Sequence, residues 1–109
     1  MVPKRQFDSQ IRDIVKQLVS LYKPEKIILF GSLAKGRITQ TTDIDLFIIK
    51  SDIPELGVDR IRQLDALIKY KLATDFIVYK PEEVKSRLEL DDPFVKSILK
   101  EGKVLYNAA

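Results

Sequence analysis

Apolar residues recur every three or four positions near the start of the chain. Ile11, Ile14, Val15, Leu18 and Val19 share one face, and the spacing predicts an amphipathic helix over 9–22. Asp8 or Ser9 is placed to cap it, and Pro24 lies just past its end. The pattern then shortens. Residues 26–30 form an apolar run closed by Gly31, which predicts a buried strand. Residues 32–36 fit one helical turn, and 37–42 read as a polar loop. Residues 43–50, rich in Ile, Leu and Phe, predict a second strand, and 51–57 turn through Pro54. Val58, Ile61, Leu64, Leu67 and Ile68 mark one face of a helix over 58–70. Residues 73–79 predict a third strand, stopped by Pro81. Pro81 suits the first position of a helix over 82–90. Asp92 and Pro93 repeat that arrangement for 94–100, which Gly102 closes, and 104–106 form a last short strand. The faces led by Ile11 and Val58 are expected to be core, since stripes at helical spacing are packing surfaces. Helices alternate with strands and no repeat or linker interrupts them, so 1–109 is expected to be a single small α/β or α+β domain.

Composition narrows the chemistry. With 109 residues, 45% of them hydrophobic and 32% charged, the chain has material for one core. The absence of Cys and His removes disulfides, thiolate nucleophiles, Ser-His-Asp catalysis and His- or Cys-bound zinc. Any metal must be held by oxygen, which points to magnesium, manganese or calcium. A net charge of +3 fits a solvated surface as well as it fits phosphate attraction. No apolar run is long enough to span a membrane, and the first ten residues do not read as a signal peptide, so a cytoplasmic location is the expectation.

The second strand opens on Asp43-Ile44-Asp45, although Asp is disfavoured in strands and costly to bury unpaired. Residues i and i+2 of a strand face the same side, so Asp43 and Asp45 point together, roughly 6.5 Å apart at the backbone. Ile44, Leu46 and Ile48 then face the core. Two like charges raise each other's pKa, and a divalent cation between them reverses that cost. Asp75 opens the third strand in the same way, and it reaches the same cleft if the two strands are neighbours. Gly31-Ser32, directly after the first strand, offers a close backbone approach, a hydroxyl and the start of a helical turn. Lys35 and Arg37 stand nearby as phosphate partners. Singly, each feature reads more simply as a turn, a solvated edge or a surface charge. Jointly, they describe a protein that handles polyphosphate by positioning and metal electrostatics.

Gly31-Ser32, ten intervening residues, Asp43-Ile44-Asp45 and then Asp75 resemble the minimal nucleotidyltransferases of the DNA polymerase beta superfamily. The stretches "GSLAKG", "TDIDLFI" and "DPFVKSILKEGKVLY" carry the likeness over most of the chain. The resemblance implies a mixed sheet of three to four strands with helices packed on it. It implies Asp43 and Asp45 as ligands of two magnesium ions, with manganese as a substitute. Asp75 would complete the catalytic metal site and help deprotonate the acceptor hydroxyl. Gly31 and Ser32 would hold the triphosphate of ATP, with Lys35 and Arg37 assisting. The reaction would be attack of a hydroxyl on the α-phosphorus with release of pyrophosphate, which suits two-metal in-line displacement. Leu33 departs from the pattern, because many small members carry Arg there.

Larger nucleotidyltransferases hold the acceptor in a second domain, and this length leaves no room for one. The acceptor is therefore expected from a partner, as in the antitoxins of HEPN/MNT toxin–antitoxin pairs, which the chain resembles. That likeness implies transfer of AMP to a tyrosine of a HEPN toxin. A docking module with a silent site, and an aminoglycoside-type nucleotidyltransferase built across a homo-oligomer, are the alternatives. Nucleic acid is the least favoured partner, since no basic stripe is interleaved with aromatics.

Overall fold

A computed structural model describes residues 2–108. Helix α1 (Lys4–Gln17) runs into a wider π-helical turn (Leu18–Tyr22). Strand β1 (Lys26–Phe30), the single-turn α2 (Gly31–Ala34) and strand β2 (Ile44–Ile49) follow. Helix α3 (Gly57–Leu67), strand β3 (Thr74–Tyr79), helices α4 (Pro81–Glu89) and α5 (Pro93–Glu101) and strand β4 (Lys103–Asn107) complete the order. The four strands form one mixed sheet in the order β3-β2-β1-β4. β1 is antiparallel to both β2 and β4, and β2 is parallel to β3. The expected class is therefore met: one small domain with a mixed sheet and helices packed on it. No helix among the described residues is long and apolar enough to cross a membrane.

The sheet is covered on both faces. Phe7, Ile11, Ile14 and Leu18 from the first helix, with Leu64 from α3, pack on Ile27, Leu29, Ile44, Leu46 and Ile48. On the opposite face Ile28 and Phe47 meet Val84 of α4 and Val95 and Ile98 of α5. β2 is thus apolar on both sides for most of its length, as a central strand must be. Asp92 caps α5 by accepting from the N–H groups of Phe94 and Val95 at 2.9 and 3.2 Å. Gly102 closes it, where a side chain would collide with Ile98 O and Ile28 Cγ2. That small residue lets α5 sit directly on β1.

Three sequence expectations need correction. The first helix begins at Lys4, behind Pro3, and Asp8 and Ser9 lie inside it instead of capping it. Buried Phe7 is the added anchor that extends it. β2 begins at Ile44, so Asp43 stands just before the strand. The face of α3 led by Val58 is core only in part: Ile61, Leu64 and Ile68 pack into the main cluster, but Val58 is 56% exposed and Leu67 41%. Leu64 and the charged Arg60 take the inward positions, and the helix stops at Leu67.

Arg60 is buried because its whole fork is satisfied. Nε donates to Pro54 O at 2.6 Å, and Nη1 to Val78 O at 2.9 Å. Nη2 donates to Glu55 O at 3.2 Å, and both terminal nitrogens grip the Glu83 carboxylate at 2.7 and 3.1 Å. Glu83 also accepts from the N–H of Lys80 at 2.8 Å, capping α4. The contact with Arg60 holds the Glu83 carboxyl below the usual carboxylate range. The stabilisation it brings is therefore present at neutral pH and is lost as pH falls through that lowered pKa.

One side chain thus ties α3, β3 and α4 together. Arg60→Ala should cost about 3–5 kcal/mol of stability by urea denaturation, because it leaves Glu83 and three carbonyls without their donor. Arg60→Lys should recover little, since a point charge cannot reproduce the fork. A loss below about 1 kcal/mol for the alanine variant would contradict this role.

Candidate active site

The antiparallel register of β1 and β2 sets Phe30 opposite Asp45, so the chain leaves β1 beside that carboxylate. Gly31 has φ +74°, a conformation that side chains rarely adopt. A Cβ built there would run into Asp45 Oδ2. Glycine is thus required for both the turn and the close approach. The parallel register of β2 and β3 pairs Asp45 with Asp75, and Ile44 with Thr74. Neighbouring strands lie about 4.8 Å apart, so the two side chains project side by side. The second and third strands are thus neighbours, which was the condition for Asp75 to stand beside Asp45.

The three aspartates interact. Asp45 is half-buried, and desolvation lifts its pKa from 3.8 to about 6, with Asp75 and Asp43 adding their negative charge and Asp75 lying within hydrogen-bond reach. Asp43 is half-buried and Asp75 exposed. These groups fit a hard divalent cation in chemistry, being all-oxygen donors whose mutual repulsion a cation relieves. In the placement described, no three acidic side chains among the described residues close into a ready-made metal cage. Asp43, Asp45 and Asp75 are the residues that would hold such an ion.

The other predicted residues follow Gly31 on one short loop. Ser32 is exposed, and its carbonyl accepts from the N–H groups of Lys35 and Arg37 at 3.1 and 2.8 Å, folding the chain back on itself. Thr39 and Thr42 tie the return, with Thr39 N donating to Thr42 Oγ1 at 2.6 Å. Arg37 is exposed. Lys35 Nζ lies 3.3 Å from Glu101 Oε2 on α5, so it has an acidic partner that nothing in the local spacing announced. Leu33 packs against the main core where many small members of the resembled group carry Arg. There it stabilises the loop by burial.

Comparison with known proteins identifies the family. Residues 10–109 match the family described as "Polymerase beta, Nucleotidyltransferase", and the chain belongs to that family of nucleotidyltransferases. A Methanocaldococcus jannaschii protein named "putative protein adenylyltransferase" is 34% identical over 101 residues, covering 91% of this chain and 97% of the relative. A second protein of that organism, with the same descriptive name, is 29% identical over 86 residues, covering 74% of this chain and 57% of the relative. A crystal structure titled as a "putative nucleotidyltransferase" from Sulfolobus solfataricus superposes with a TM-score of 0.62 at 25% identity, over 99% of this chain and 91% of that one.

The raised pKa of Asp45 has a defined consequence for the metal-free protein. Its protonated form is favoured by the fold, so this contribution to stability is full below pH 3.8 and is lost as pH rises through about 6. Asp45→Asn, measured in chelator, should melt several degrees above wild type at pH 8 and close to it at pH 4. An equal difference at both values would show that charge is not the cause.

Proposed function

We propose that this chain transfers AMP from ATP to a tyrosine hydroxyl of a partner HEPN-type toxin, in the cytoplasm. The observation that carries the reading is Asp45 set beside Asp75 in register, against Gly31, with Asp43 adjoining. The hydroxyl oxygen bonds to the α-phosphorus as the bond to the β-phosphate oxygen breaks. That bond's electron pair leaves with pyrophosphate. Asp75, exposed at the edge strand, takes the hydroxyl proton, while Asp43 and Asp45 anchor the catalytic centre. Gly31 lets the triphosphate approach the backbone, Ser32 offers its hydroxyl, and Lys35 and Arg37 supply positive charge beside it. Two magnesium ions, or manganese, bound by the three carboxylates would stabilise the entering and leaving oxygens. Support for a protein acceptor comes from the relative of matching span, which is named as a protein adenylyltransferase.

The test is transfer of label from α-phosphate-labelled ATP, with magnesium, into a co-expressed HEPN partner. Wild type should label it on tyrosine, and Asp43→Asn/Asp45→Asn should lose the transfer by at least about a hundredfold. An unlabelled partner held in a stable complex would overturn the reading in favour of docking. Label passing to an aminoglycoside instead would overturn the protein acceptor while keeping the chemistry.

A further inference from the structure

A cavity of about 220 Å³ opens between α2 and α5, walled by Phe30, Ala34, Phe94 and Ile98, with Ser97 and Glu101 also lining it. It also contains Gly31, the residue whose α-carbon abuts the Asp45 carboxylate. We propose that this cavity is the base subsite of the nucleotide and takes a purine ring, an assignment that rests on the nucleotidyltransferase reading above.

The walls are apolar and aromatic. Phe94 stands edge-on to Phe30, with ring centroids 5.7 Å apart and planes at 87°. Phe94 is 47% exposed, so one part of its ring is anchored and the rest is available to a ligand. Whole drug-sized ligands fill about 300–1,000 Å³, so this space suits one ring system and not an entire nucleotide. Ser97 offers a hydroxyl that donates or accepts, and Glu101 offers a carboxylate that only accepts. An exocyclic amine on a purine meets both requirements. Lys35 holds the Glu101 carboxylate at the rim.

Other occupants fit less well. A triphosphate suits only the Gly31 and Lys35 edge of the cavity, because deeper in it would lie against phenyl rings and the Glu101 carboxylate, which disfavours it there. The acceptor must approach on the side of the carboxylate that receives its proton. Asp75 lies on β3, at the edge of the sheet beyond β2, whereas the cavity lies over β1 beneath α5. The sheet order thus separates an acceptor side from a nucleoside side. A larger groove along α1, lined by Gln6, Ser9, Gln10 and Asp13, contains none of the site residues.

The test is calorimetric binding of ATP and of inorganic tripolyphosphate, each with magnesium. Ser97 is exposed, so Ser97→Phe can fill the cavity without disturbing the core. It should weaken ATP binding by at least about tenfold and leave tripolyphosphate within about twofold. Phe94→Ala should weaken ATP selectively as well, and Phe94→Tyr should restore it, which keeps the proposal testable if Ser97→Phe misfolds. Unchanged ATP affinity in both disruptive variants, equal losses for both ligands, or a wild type that binds ATP no better than tripolyphosphate would overturn the assignment. Label transfer by that same wild type would leave the nucleotidyltransferase reading standing. Base-dependent binding without transfer would do the reverse.

Discussion

The constraint on which this molecule turns is the placement of Asp45 beside Asp75 across two parallel strands. The register admits no slack, because a shift of one residue would put Asp45 on the opposite face and aim Ile44 at the cleft. Burial of a carboxylate, and after it the neighbouring charges of Asp75 and Asp43, oppose the fold, and the lifted pKa of Asp45 records that opposition. The apolar run that follows, with Leu46, Phe47 and Ile48 fully buried, supplies the burial that offsets it. The candidate site and its electrostatic strain therefore lie at the polar end of strands whose other ends are core.

A parallel pair needs a crossover, and α3 provides it. Arg60 fixes that crossover by reaching from α3 to the carbonyl of Val78 in β3 and to Glu83 at the start of α4. The sheet then has a helix layer on each side. One layer consists of α1 and α3 on Ile44, Leu46 and Ile48. The other consists of α4 and α5 on Phe47 and Ile28, the face toward which Asp45 also points. At the end of β1, near Gly31, a cavity remains between α2 and α5.

Much of this was legible in the chain. All four strands follow from short apolar runs punctuated by Gly, Pro and Asp, and the caps at Pro81 and Asp92 announce two helices. Asp43, Asp45 and Asp75 were conspicuous because strand interiors disfavour them. Two features were not legible. Hydrophobic periodicity could not reveal that α3 turns Arg60 inward, since a buried charge depends on carbonyls and a carboxylate supplied by other segments. Spacing could not reveal that Phe94, Ser97 and Glu101 stand beside Gly31, because that neighbourhood exists only once α5 packs on β1. Helix α1 ran longer than its polar start implied, because Phe7 anchors an early turn without a capping side chain.

The most direct measurement is a carbon-detected NMR titration of the Asp45 carboxyl, with and without magnesium. The account predicts a pKa near 6 in the metal-free protein. Magnesium should bring it down into or below the ordinary carboxylate range, because a bound cation favours the charged form. An ordinary carboxylate pKa that magnesium leaves unchanged would contradict the proposed binding of magnesium by the three aspartates.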